Sequence, residues 1–307
     1  MSQQLPDLTI NSLFSQEGKV VLVTGGGTGL GLMMATGFAQ NGAKVYIASR
    51  KMSNLDKAAS ALNAYHAGCC VPITADLTNK AGCDALAAKL NELEPNGLDV
   101  LVNNSGVSWG SPLEDVDEVR GWDRVFAVNV KSIFYLTVAL LPLLKKKAKD
   151  EFHPASVINV TSIIASIPMA YMPTAQKGQG AFSYAASKAA AAHLTRTMAV
   201  PLKKMHVNCN ALAPGFFPSN MTAGAGIDPA GSDPSKKPTD PLSRSSPNGR
   251  LGGPRDIAGA ALLLASPAGT NLSGVTITSD GGFSLSPVQK LPKELRELYE
   301  PPPRSKL

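Results

Sequence analysis

Seven short apolar runs punctuate the chain: KVVLVTG at 19–25, AKVYIAS at 43–49, CVPITADL at 70–77, LDVLVNNSG at 98–106, ASVINVTS at 155–162, HVNCNALAPG at 206–215 and GVTITSDGG at 274–282. Each is short, apolar and bounded by turn residues, so each reads as a strand. Longer stretches with helical apolar spacing separate them. This alternation predicts an α/β fold, a doubly wound seven-stranded parallel sheet in a single domain that binds ligands at the carboxyl ends of its strands. The domain is expected over 18–283, after an N-terminal extension at 1–17 and before a tail at 284–307. Residues 166–180 and 223–249 interrupt the rhythm with Pro, Gly and small polar residues, and read as loops over the ligand crevice. The tail ends YEPPPRSKL, where three prolines favour an extended arm.

Composition narrows the classes. A chain of 307 residues that is 44% hydrophobic can bury a full core. The net charge of +6 is scattered except for KKKAK at 145–149, which suits the carbonyl pole of a helix. No nucleic-acid-binding signature accompanies the charge, so no nucleic-acid partner is expected. Cys69, Cys70, Cys83 and Cys209 contain no CxxC pair, which points to neither a metal site nor a secreted disulfide framework and suits a reducing compartment. No unbroken apolar run approaches a membrane span, and the polar start MSQQLPDLTINS lacks a signal-peptide pattern. A soluble protein is expected.

The chemistry begins in VTGGGTGLGLMMA at 23–35. Gly25, Gly29 and Gly31 fall where the first strand turns into a helix, so the backbone can approach a pyrophosphate whose charge the helix N-terminus stabilises. Tyr184 and Lys188 in YAASK are four apart and share a helix face, where the ammonium is expected to depress the phenol's pKa. Ser162 is placed at the end of the fifth strand, within reach of a substrate carbonyl. Asn129 in VNVKS is a polar amide inside a helix, where its type is otherwise unhelpful. Together these make a carbonyl-reducing constellation.

The TGxxxGxG spacing, NNSG at 103–106 and YAASK at 184–188 resemble the short-chain dehydrogenase/reductase family over roughly 18–283. The resemblance implies a Rossmann-type fold and a nicotinamide cofactor that performs the hydride transfer. It assigns Tyr184 as general acid or base, Lys188 as its electrostatic partner and ribose contact, Ser162 as carbonyl anchor, and Asn129 as support for a water-linked proton relay. Cofactor contacts are implied for Gly25, Thr28, Gly29, Leu30 and Gly31 in the turn. Asp76 and Leu77 would edge the adenine, and Asn103, Ser105 and Gly106 would follow the fourth strand. Pro214, Gly215, Phe217 and Ser219 in PGFFPSNMT would lie near the nicotinamide. At the end of the second strand, Ser49 occupies the place of the ribose-binding acid of NAD enzymes and Arg50 follows, with Lys51 next. Arg50 can hold a 2′-phosphate, so the expected cofactor is NADP(H). Thr28 stands where many NADP-dependent relatives carry a basic residue.

LVNNSGVSWGSPLE at 101–114, GWDRVFAVNVKSIF at 121–134 and VNCNALAPGFFPSNMT at 207–222 resemble more closely the NADPH-dependent β-ketoacyl reductases associated with bacterial rhamnolipid synthesis, and fungal reductases similar to them. That resemblance implies reduction of a 3-oxoacyl thioester to its 3-hydroxyacyl form, with an acyl or ketone compound as substrate. Phe216, Phe217, Met169, Met172 and Met221 would line an apolar channel, beside a longer segment between Ser162 and Tyr184 than those relatives have. Ser305, Lys306 and Leu307 form a peroxisomal address for the import receptor; unread, it would leave the protein in the cytoplasm. The competing readings are a peroxisomal 2,4-dienoyl-CoA reductase, a secondary-metabolite ketoreductase and a non-catalytic NADP(H)-binding scaffold. The YxxxK pair favours ketone reduction. The family resemblance also implies a homo-oligomer, tetramer or dimer, joined near 255–265 and 274–282.

Overall fold

The computed structural model describes residues 5–169, 179–222, 243 and 246–286. The seven expected strands form, each shorter than its apolar run: β1 Val20–Thr24, β2 Lys44–Ser49, β3 Cys70–Thr74, β4 Val100–Asn103, β5 Ala155–Val160, β6 Val207–Pro214 and β7 Thr276–Ser279. They make one sheet in the order β3-β2-β1-β4-β5-β6-β7. Every pairing is parallel, with Val21 opposite Val45 on one side of β1 and opposite Val100 on the other. The runs are nearly continuous in apolar character because both sheet faces are covered. Val21, Val23, Val45, Ile47 and Val102 enter one core, while Val20, Leu22, Tyr46, Ala48 and Leu101 enter the other.

Helices α1 Ile10–Phe14, α2 Gly29–Gln40, α3 Met52–Tyr65, α4 Lys80–Leu93, α5 Arg124–Phe126, α6 Ser132–Lys147, α7 Phe182–Lys203 and α8 Pro254–Ala265 complete the described layers. Residues of α2, α3 and α8 fill the first core, and residues of α4, α6 and α7 the second. On α6, Ile133, Leu136, Leu140 and Leu144 are buried at helical spacing, and Lys145, Lys146 and Lys147 occupy its last turn, as the charge run predicts. The four cysteines are free and buried.

Two features depart from expectation. Helix continues from Glu118 to Lys147 with a window of mean hydropathy 1.7, so by length and composition it is apolar enough to cross a membrane. Half of that window is buried within the protein, where the α6 face packs on the sheet and α4. The run also contains two π-helical turns, Glu118–Asp123 and Ala127–Lys131, which the apolar spacing does not announce. The second carries Asn129.

β1 pairs with both β2 and β4, so the chain reverses its direction of travel across the sheet at β1. A crevice opens beyond the carboxyl ends of these strands, the place where doubly wound sheets bind ligands.

Candidate active site

The glycine turn between β1 and α2 is a steric requirement. Gly25 and Gly29 hold φ of 65° and 53°, a region that disfavours side chains. A Cβ on Gly31 would stand 2.2 Å from the Gly25 carbonyl oxygen and 2.5 Å from Asn104 Nδ2. Gly31 therefore serves the site by letting α2 close onto the turn, rather than by lining the crevice. Thr24, at the end of β1, accepts at Oγ1 from the Asn104 and Ser105 N–H groups, both at 3.0 Å, and Asn104 Nδ2 donates to the Thr24 carbonyl at 2.8 Å. The ends of β1 and β4 are thereby fixed to each other.

Two adjoining cavities occupy the crevice. The first, about 280 Å³, is lined by Gly25, Thr28, Gly29, Leu30, Ser105 and Gly106 on one side. Ser162, Tyr184, Lys188, Pro214, Gly215, Phe217 and Ser219 close its other sides. The second, about 370 Å³, is lined by Ser49, Arg50, Lys51, Asn54, Asp76 and Leu77. Gly25, Thr28, Ser105, Gly106 and Asn220 line both, so the two are halves of one elongated cleft. One end is cationic, the middle is glycine backbone, and the far end holds Ser162, Tyr184 and Lys188.

At that far end, α7 presents Tyr184 and Lys188 from successive turns, both buried. Lys188 Nζ lies 5.7 Å from the centre of the Tyr184 ring and donates to the Val160 carbonyl at 2.8 Å. Burial pushes the phenol up to about 12, against the pull of a hydrogen bond with Ser162, and burial brings Lys188 down to about 8. The expected depression of the tyrosine is thus corrected: desolvation sets the direction, and the group that opposes it is the Ser162 hydroxyl rather than the Lys188 ammonium. Ser162 lies two residues beyond β5 rather than at its last position, and caps the 3₁₀ turn Ile163–Ala165, its Oγ accepting from Ile164 N at 3.3 Å.

Asn129 does not line either cavity. Its Oδ1 accepts from Val107 N at 2.9 Å, and its Nδ2 donates to Val107 O and Ser187 Oγ, both at 2.9 Å. Asn103 requires a correction. Its Nδ2 donates to Asn159 Oδ1 at 2.9 Å and to Thr137 Oγ1 at 3.2 Å, within the core, while neighbouring Asn104 faces the first cavity. Phe217 lines the cavity but is buried, and a Cβ on Gly252 would meet its ring at 2.3 Å, so its side chain is largely a packing group. Phe216, Met169 and Met221 reach the first cavity together with Ile163, Ile164 and Ile167. Met172 lies outside the described residues, as do 170–178, most of 223–249, and 287–307 with the C-terminal tripeptide.

Sequence reasoning missed Thr24, Asn54, Asn220 and Ser187. Asn54 had a legible signal, lying one helical turn after Arg50 and Lys51. The others are small polar residues whose importance comes from elements that only the fold brings together.

A family model described as short chain dehydrogenase matches residues 19–229. The chain is 42% identical over 272 residues to the rhamnolipids biosynthesis 3-oxoacyl-[acyl-carrier-protein] reductase of Pseudomonas aeruginosa, covering 89% of this chain and 98% of that protein. It is 36% identical over 301 residues to the short-chain dehydrogenase/reductase PhomF of Diaporthe leptostromiformis, covering 92% and 97%. The solved Pseudomonas aeruginosa RhlG/NADP active-site complex superposes with a TM-score of 0.76 at 40% identity, covering 89% of this chain and 99% of that one.

Proposed function

Because this chain belongs to the short-chain dehydrogenase family, we propose that it is an NADPH-dependent carbonyl reductase whose substrate is a 3-oxoacyl thioester. The observation that carries this reading is the single cleft with a cationic end, a glycine floor and a buried Tyr–Ser–Lys end. Its residues fit a dinucleotide: the left-handed glycines at 25 and 29 leave room for close approach of a pyrophosphate, and Arg50 and Lys51 can receive a 2′-phosphate. Bound NADPH supplies the hydride in such a reaction.

The chain's own residues supply the rest. Ser162 orients the carbonyl oxygen through its hydroxyl. Tyr184, protonated throughout the neutral range because burial raises its pKa, delivers a proton to that oxygen as it gains negative charge. Lys188 provides positive charge below about pH 8 beside the tyrosine and the Gly106 backbone. The apolar wall of Ile163, Ile164, Ile167, Met169, Phe216 and Met221 suits an acyl chain. The likeness to a 3-oxoacyl reductase supports the thioester assignment.

The reading extends to place and assembly. Ser305-Lys306-Leu307 supports import into the peroxisome, where acyl-CoA esters are handled. A homo-oligomer, dimer or tetramer, is supported by β7 standing at the sheet edge with its side chains only partly covered.

NADPH oxidation is measured against 3-oxoacyl-CoA esters, simple ketones, polyketide-like ketones and quinones. The thioesters are expected to give the highest kcat/KM. Activity confined to quinones or rigid ring ketones overturns the thioester assignment, and cofactor binding without turnover on any carbonyl favours a non-catalytic role.

A further inference from the structure

We propose that Ser187 is a positioning residue that couples the proton-transferring turn of α7 to the cofactor side of the cleft. Its side chain is fully buried. The hydroxyl donates to the Tyr184 carbonyl at 2.7 Å and accepts from Asn129 Nδ2 at 2.9 Å. Asn129 in turn holds both backbone groups of Val107, which lines the cavity bearing Arg50. An unbroken set of hydrogen bonds therefore runs from Val107 through Asn129 and Ser187 to Tyr184, joining the loop after β4, the second π turn and α7.

A serine inside a helix commonly bonds back to a carbonyl three or four residues earlier, and that bond alone implies no function. Here the oxygen also receives an amide from another element, and the carbonyl it holds belongs to Tyr184. Each donor and acceptor in the set is matched: Asn129 uses its oxygen once and its two N–H groups once each, and Ser187 donates once and accepts once. The two side chains are inaccessible to solvent, so water cannot replace a lost partner. A Cβ on Gly106 would lie 3.4 Å from Asn129 Oδ1 and 3.5 Å from Lys188 Nζ, so the same set also borders the lysine. Small displacements of a reacting group cost large factors in rate, and this set fixes the turn that carries the phenol.

The inference rests on the reading of Tyr184 as proton donor. Its test compares Ser187→Ala, the near-isosteric Ser187→Cys, Asn129→Ala and Ser187→Ala/Asn129→Ala, with Tyr184→Phe as control. NADPH affinity is read by fluorescence titration, stability by thermal melt, and turnover with acetoacetyl-CoA well below the melting temperature. Ser187→Ala and Ser187→Cys are expected to lower kcat by about tenfold and weaken NADPH binding by about threefold, with the acetoacetyl-CoA KM within about twofold of wild type. In the Asn129→Ala background the serine change should cost less than about twofold, because the shared set is already broken. Wild-type kcat and NADPH affinity in a variant that only melts earlier overturns the proposal, as does full multiplicativity of the two changes. The NADPH titration needs no substrate, so an incorrect substrate class leaves that arm decisive; full turnover by Tyr184→Phe overturns the catalytic reading and this inference together.

Discussion

The Lys188 ammonium stands 5.7 Å from the centre of the Tyr184 ring, and its hydrogen bond goes to the Val160 carbonyl rather than to the phenol. Burial therefore governs both groups, raising the tyrosine to about 12 and lowering the lysine to about 8. A phenol held in its protonated form suits carbonyl reduction. Alcohol oxidation requires the phenolate, so its rate is expected to climb about tenfold per pH unit from pH 6 to 8 while reduction stays level. Rate profiles in the two directions check this. Tyr184→Phe retains the ring and should lower reduction by about a thousandfold or more while NADPH still binds.

Lys188 also sets a stability cost. Its folded pKa lies below the unfolded value of 10.5, so between about 8 and 10.5 the unfolded state binds more protons and stability rises with pH. Below pH 8 both states are charged and the cost is complete, about 3 kcal/mol at the 1.36 kcal/mol per unit of a pKa difference. Losing the bond to Val160 offsets part of the gain on removal. In protein without added nucleotide, Lys188→Met is expected to melt roughly 4–8 °C above wild type at pH 7, with the difference shrinking toward pH 10.5, while turnover is lost. Equal melting temperatures at pH 7 contradict it.

The cationic end of the cleft predicts cofactor preference. Ser49→Asp with Arg50→Ala supplies a ribose acceptor and removes the phosphate partner, and should shift the NADPH-to-NADH ratio of kcat/KM by about thirtyfold or more toward NADH. A wild-type enzyme that already uses both equally removes the role given to Arg50.

The apolar end predicts a length dependence. Each methylene buried against Met169, Phe216 and Met221 should raise kcat/KM by up to about fourfold until the cavity is filled. Met169→Ala should reduce the gain for long 3-oxoacyl-CoA esters and leave NADPH affinity unchanged. A flat profile from short to long substrates rejects the acyl-chain assignment.

The proposal that Ser305-Lys306-Leu307 is a peroxisomal address predicts location independently of chemistry. Deleting Leu307 should leave activity intact and move a tagged protein from peroxisomes to the cytosol, as seen by fluorescence microscopy. An unchanged peroxisomal signal, or none in the wild type, rejects the address.

The seven strands were legible because both sheet faces are buried, which leaves continuous apolar runs such as 20–23 and 100–102. The reading ran too far at the carboxyl ends: 75–77, 104–106 and 161–162 follow their apolar runs without a break, but β3, β4 and β5 end at Thr74, Asn103 and Val160. The glycine turn and the Tyr184–Lys188 spacing were legible because local backbone and helix geometry dictate them. The choice between Asn103 and Asn104 was not, since it depends on strand alternation and on partners more than 50 positions away, Asn159 for one and Thr24 for the other. The tyrosine's raised pKa was hidden too, because spacing along a helix carries no measure of desolvation.

The π turn at Ala127–Lys131 has a consequence for how this helix can change over time. A π turn accommodates one residue more than an α turn, so it absorbs an insertion that would otherwise swing everything after it by about 100°. Ile133, Leu136 and Leu140 keep their seats on the sheet while Asn129 is aimed separately at Val107. The turn acts as a slip joint: the phase of the buried face and the direction of one amide can be inherited apart, and a single-residue deletion here would redirect Asn129 without unseating the helix.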